Sequence, residues 1–114
     1  MVHLAHTSLY HWSQRAECTD QNLSIGYWQL SRVYVMIGEL ENAIKYGQIC
    51  LEHSLVHGVA EIFLGYAYEA LARAYSAAGK EADKKSFLEK ATRIAETLSP
   101  ENRAQLFGDL ETID

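Results

Sequence analysis

The sequence predicts an all-α fold, and three observations predict it. Apolar residues recur at alternating steps of four and three, as one face of a helix requires: Leu23, Tyr27, Leu30, Tyr34 and Ile37 in one run, Leu64, Tyr68, Leu71, Tyr75 and Ala78 in another. No segment of useful length alternates apolar with polar residues, and β-branched runs are absent. A lone proline, Pro100, and only seven glycines fit long elements with few elaborate loops.

The bulk numbers bound the rest. A chain of 114 residues is a single domain with room for one core. Hydrophobic residues make up 48% and charged residues 22%, an ordinary globular mix. No apolar run reaches bilayer length, and the start "MVHLAHTSLYHW" lacks the order of a signal peptide, so a cytoplasmic location with no membrane partner is expected. Two cysteines, Cys18 and Cys50, are too few for a disulfide framework, and reduced thiols are expected. A formal charge of -5 and a pI near 5.5 argue against a nucleic-acid partner, which needs a basic face, but leave room for a small local basic site.

Punctuation divides the helices in order. A first helix is expected over residues 2–14. The polar stretch "ECTDQN" breaks it, with Thr19 or Asp20 placed to cap a second helix that ends near Gly38. A third covers "LENAIKYGQICLEHSL", and Gly58 suits the left-handed position after its end. A fourth stops at Gly79, and a fifth spans "DKKSFLEKATRIAETL". Ser99 caps and Pro100 opens the last helix, which presents Leu106, Phe107, Leu110 and Ile113 on one side.

One phrase is written twice. "YWQLSRVYVMIGE" and "YEALARAYSAAGK" share Tyr27/Tyr68, Leu30/Leu71, Arg32/Arg73, Tyr34/Tyr75 and Gly38/Gly79. With these residues the chain resembles the tetratricopeptide family, helix-turn-helix units that stack into a solenoid. The resemblance covers Ser24 to Glu52 and Gly65 to about Glu96. Tyr27 and Tyr68 take the family's tryptophan place, Ser31 and Ala72 its small-residue place, Ala43 its second-helix alanine, and Cys50 and Ala91 its later small position. The chain departs from the pattern at Lys84, which stands where a small residue belongs, and at Gly47, which replaces a usual aromatic. The copies are also spaced more widely than in the commonest repeat, as if the helices were about two turns longer. The resemblance implies an antiparallel helix-pair solenoid with a C-terminal capping helix, divided as 1–17 half repeat, 20–57 first repeat, 59–98 second repeat and 99–114 cap. The whole chain is also similar to small bacterial proteins of this type, a likeness that brings no function with it.

In that architecture the first helix of each pair lines a concave groove. If Tyr27, Leu30 and Tyr34 face the core, Trp28, Arg32 and Val35 swing to another side, with Ile25 and Met36 close by. The corresponding second-copy positions are Tyr66, Glu69, Arg73 and Ser76. Arg32 and Arg73 then stand in register, and two such guanidinium groups suit one carboxylate or phosphate. The implied function is recognition of a protein or peptide segment with an acidic group by Trp28, Arg32, Met36, Tyr66, Glu69 and Arg73, with no enzymatic chemistry. A plainer reading stands beside it: Glu69 precedes Arg73 by four residues, an intrahelical ion pair, and Arg32 follows Trp28 by four and can lie on its ring. A polar pocket of Trp28, Arg32, Glu69 and Arg73, serving a small-molecule sensor or an enzyme, is the alternative.

Other clusters carry less. Cys50, His53 and His57 share one helix face and His11 sits at a related place, but no tight ligand spacing supports zinc, and Cys50 fills a core position. His3, His6 and His11 read as a solvated or interface face. No base stands near Cys18, and "GKEADKK" lacks the glycines of a phosphate loop. No catalytic set, metal or cofactor is therefore expected. Some of Leu4, Leu9, Tyr10 and Trp12 would be left uncovered at the end of a stack, and a homodimer through the N-terminal helix is the expected cover.

Overall fold

The computed structural model of the chain describes residues 19–56 and 58–113. They form helices α1 (Asp20–Met36), α2 (Leu40–Ser54), α3 (Glu61–Ala77), α4 (Glu81–Thr97) and α5 (Pro100–Leu110), with no strand among the described residues. The expected helix over 2–14, its histidines, Cys18, His57 and the proposed dimer face lie outside the described residues.

Local chemistry accounts for most of the boundaries. The Thr19 hydroxyl accepts the Asn22 N–H at 3.2 Å and starts α1. Ser99 does the same for Asn102 at 3.4 Å, and Pro100 opens α5, where a missing N–H costs nothing. After α1 and α3 the chain turns through a glycine with φ of 79° at Gly38 and 75° at Gly79. Both turns make the same closing bonds: Glu39 N–H to Tyr34 C=O and Lys80 N–H to Tyr75 C=O, each 2.9 Å. Several boundaries differ from expectation by one or two residues. Helix α4 begins at Glu81 rather than Asp83, because Lys84 N–H already bonds to Lys80 C=O at 3.0 Å. Helix α2 ends at Ser54, and Leu55 caps it by bonding back to Leu51 C=O.

Connections of three residues, 37–39 and 78–80, fold α2 back on α1 and α4 back on α3. Helix α3 is central: it also touches α1, α2 and α5, while α5 lies across α3 and α4. The core is three fully buried leucines, Leu30, Leu71 and Leu106, set among alanines such as Ala43, Ala67, Ala72 and Ala91. Small side chains let the backbones approach. Ser31 is buried with its hydroxyl donating to Ala43 C=O across α1 and α2 at 2.8 Å. Gly47 has a packing cause as well, since a Cβ there would meet Leu71 Cδ2 at 3.0 Å. Lys84 is partly buried, with its amine 3.7 Å from the exposed Glu81 carboxylate one turn before it.

Ring stacking recurs forty-one positions along the chain, as Tyr27 does at Tyr68. Tyr46 lies between Tyr27 and Tyr34, with ring centroids 5.9 and 5.4 Å away. Phe87 lies between Tyr68 and Tyr75 at 6.1 and 5.5 Å. Each set ties the first helix of a pair to the second. No helix among the described residues is long and apolar enough to cross a membrane.

Candidate functional site

The register read from the sequence places Arg32 on α1 and Arg73 on α3, and the two helices pack side by side. Both guanidinium groups turn toward one carboxylate, and it is the chain's own. Glu69 Oε1 lies 3.3 Å from Arg32 Nη1 and 3.6 Å from Arg73 Nε. The first contact is a hydrogen-bonded ion pair; the second is longer than a hydrogen bond and acts through charge alone. Glu69 is completely buried, Arg73 is 15% exposed and Arg32 is 34% exposed.

Burial pushes the Glu69 carboxyl above its ordinary value near 4.5. Arg73 and then Arg32 pull it back without cancelling the rise, Asp109 adds to it, and the Trp28 indole favours the charged form. Glu69 Oε2 and Trp28 Nε1 are nevertheless both buried without an aligned hydrogen-bond partner. An orphaned acceptor and an orphaned donor near one another leave this network short of saturation.

The network continues across the face. The Arg32 guanidinium rests 5.1 Å above the Trp28 ring, and Trp28 meets Tyr66 edge to face with centroids 5.7 Å apart. Tyr66 donates its hydroxyl to Asp109 Oδ2 at 2.5 Å; burial first, then this carboxylate, drives the phenol well above its ordinary value. Arg73 Nη2 donates to Asp109 C=O at 3.1 Å and to Thr112 Oγ1 at 2.7 Å. Three helices, α1, α3 and α5, thus share one polar seam.

Two recesses flank the seam. One, of about 230 Å³, is walled by Ile25, Trp28, Phe63, Tyr66, Gln105 and Asp109. The other, of about 280 Å³, is lined by polar Arg32, Arg73, Ser76 and Thr112 and by apolar Val35, Met36, Ala77 and Ile113. Met36 is 66% exposed at its rim. Of the residues expected from sequence, Trp28, Arg32, Tyr66, Glu69 and Arg73 are joined in one network, and Met36 stands beside it. Glu69 differs from a groove-lining residue: it lies sealed beneath the arginines and lines neither recess. Both plain contacts, Arg73 on Glu69 and Arg32 on Trp28, are present. The bond from Arg32 to Glu69 across helices comes in addition.

Sequence reasoning missed Phe63, Asp109 and Thr112. The last two were readable as a stripe: Gln105, Asp109 and Thr112 fall at steps of four and three, beside the face of Leu106 and Leu110. The other candidates form internal contacts. Cys50 donates to Ser24 C=O at 3.2 Å, and burial pushes its thiol up to about 11, far from a nucleophile's range. His53 Nδ1 sits 2.8 Å from Asp20 Oδ1. Among the described residues no group of three or more His, Cys, Asp or Glu is placed to hold a metal. Comparison with known proteins gives no match among family models, curated proteins or solved structures.

Proposed function

We propose that the chain is a tetratricopeptide-like binding module that holds a peptide segment across α1, α3 and α5, with an acidic group of the peptide at Arg32. The recurrence of the same turn bonds and ring stacks forty-one positions apart supports the repeat reading. A single observation carries the binding reading: guanidinium groups from matched positions of two helices border one recess together with an apolar wall of Val35, Met36, Ala77 and Ile113. A side chain of the peptide rests on that wall while its carboxylate meets the cation.

The arginines divide the work. Arg73 spends Nη2 on Asp109 C=O and Thr112 and turns Nε to Glu69, so it holds α3 against α5. Arg32 gives Nη1 to Glu69 and keeps donors and a third of its side chain for a partner. Glu69 orients both rather than touching the ligand. The sealed position of Glu69 also speaks against a polar pocket of Trp28, Arg32, Glu69 and Arg73 working as a catalytic site.

The test is fluorescence polarisation with a set of labelled peptides carrying Asp, Glu or a free C-terminal carboxylate beside an apolar residue, each matched to an amide or Lys-substituted control. Acidic peptides should bind the wild type, lose affinity about tenfold or more on Arg32→Ala, and weaken with rising salt. Equal binding of acidic and control peptides, affinity unchanged in Arg32→Ala, or no binding by any peptide overturns the reading.

A further inference from the structure

We propose that the recess between Trp28, Phe63, Tyr66 and Asp109 is a binding site for a quaternary ammonium group. The site lies on the opposite side of the seam from the arginine-bordered recess and does not depend on a peptide occupying that one. Its volume of about 230 Å³ suits a compact head group, since pockets for drug-sized ligands begin at about 300 Å³.

Three aromatic residues from two helices wall it. Trp28 and Tyr66 pack edge to face, at 82°, both line the recess, and Phe63 sits one helical turn before Tyr66. Aromatic faces attract a cation through their quadrupoles, most strongly where water is displaced. The Trp28 ring already carries a cation in this way, the Arg32 guanidinium at 5.1 Å. That guanidinium shares the Glu69 carboxylate with Arg73 and lines the other recess rather than this one.

Asp109 supplies the opposite charge. Its Oδ2 accepts the Tyr66 hydroxyl, and Oδ1 has no hydrogen-bond partner among the described residues. It makes no ion pair with any described residue, because Arg73 addresses its main-chain carbonyl instead. A carboxylate without a counter-ion beside three rings selects a cation over an anion or a neutral group. The chain's formal charge of -5 favours the same sign.

The hydrogen-bonding inventory narrows the ligand further. A lysine ammonium brings three donors and needs three acceptors when it leaves water. The side chains of the recess offer two spare acceptors, Asp109 Oδ1 and the Gln105 amide oxygen, one short of that number. A quaternary ammonium has no N–H to satisfy and presents methyl groups to the rings. Its charge and its apolar surface are both matched.

Isothermal titration calorimetry with choline and with its neutral isostere 3,3-dimethylbutan-1-ol tests the site. Choline should bind, and the isostere should bind about tenfold or more weakly. Asp109→Asn keeps an acceptor for Tyr66 and removes only the charge; it should weaken choline about tenfold. Phe63→Leu keeps apolar volume without the ring and should weaken it several-fold, with circular dichroism verifying both folds. N-acetyl-trimethyllysine amide distinguishes sources: binding as tight as choline assigns the site to a modified side chain, and binding of choline alone assigns it to a free solute. Equal affinity for the neutral isostere, undiminished binding to folded Asp109→Asn, or no binding of either cation at about 10 mM overturns the proposal.

Discussion

Arg32 Nη1 and Glu69 Oε1 meet at 3.3 Å across the α1–α3 boundary, joining an arginine whose side chain is one-third exposed to a glutamate side chain with no solvent exposure. A buried charge of this kind is held in place by its partners, and its removal harms more than its presence helps. Glu69→Ala leaves Arg32 and Arg73 side by side without their shared counter-ion. It should lower unfolding stability by about 3–5 kcal/mol in urea titration. Arg32→Ala should lose less, because Arg73 still pairs with the carboxylate and water reaches the vacated side. A larger loss from Arg32→Ala than from Glu69→Ala would mean the carboxylate is not the centre of the network.

The same carboxyl sets a pH dependence. Its folded value lies above the ordinary 4.5, so the native state binds this proton more tightly than the unfolded chain does. The stability this group contributes is therefore fully present at pH below 4.5 and is lost as pH rises from there through the raised value. Wild type measured against Glu69→Gln at a series of pH values isolates the effect. The stability difference should shift toward the variant with rising pH and then level off. A shift in the opposite direction would show the arginines outweighing burial.

Tyr46 and Phe87 occupy matched places between paired tyrosines, at centroid distances of 5.4 to 6.1 Å. Aromatic pairs contribute about 0.5–1.5 kcal/mol each beyond buried area, and each of these rings makes two. Tyr46→Leu and Phe87→Leu should each cost about 1–3 kcal/mol, and the two costs should agree within about 1 kcal/mol. A loss at one position with none at the other would break the correspondence between the helix pairs.

These contacts divide what a sequence discloses from what it hides. Gly38, Gly79, Ser99 and Pro100 were readable because a turn or a cap is settled by a few adjacent residues. Leu30 and Leu71 were readable because burial follows helical periodicity. The match of Arg32 to Arg73 was visible too, but its meaning depends on Glu69 becoming sealed, which is a matter of how α1 and α3 close together. Asp109 and Thr112 were passed over because α5 repeats neither copy of the phrase, and only docking brings them to Arg73 and Tyr66. Pairwise geometry between helices is the part that periodicity does not encode.

Cys50 gives a chemical test of the packing between α1 and α2. Its thiol, raised to about 11 and bonded to Ser24 C=O, is almost entirely protonated at pH 8. Iodoacetamide at that pH should leave Cys50 unmodified in native protein and label it fully in urea, as read by peptide mass mapping. Labelling of native Cys50 at the rate of a free thiol would show that the α1–α2 contact opens readily.

Two glycines should respond to alanine with opposite signs. Gly65 lies in α3 where α4 and α5 converge, and a Cβ there would fall 2.7 Å from Leu106 Cδ2 and 3.2 Å from Ile94 Cγ2. Leu106 is fully buried and has little freedom to withdraw, so overpacking of about 1–3 kcal/mol outweighs the helix-propensity gain of about 1 kcal/mol. Gly108 in α5 has nothing within 4 Å of the same added atom and an ordinary helical backbone. There the propensity gain stands alone, and Gly108→Ala should stabilise by about 0.5–1 kcal/mol. Thermal unfolding of the two variants should move Tm in opposite directions from wild type. If Gly65→Ala is as stable as Gly108→Ala, α5 does not press on α3 through Leu106, and the seam carrying Tyr66, Arg73 and Asp109 loses its support.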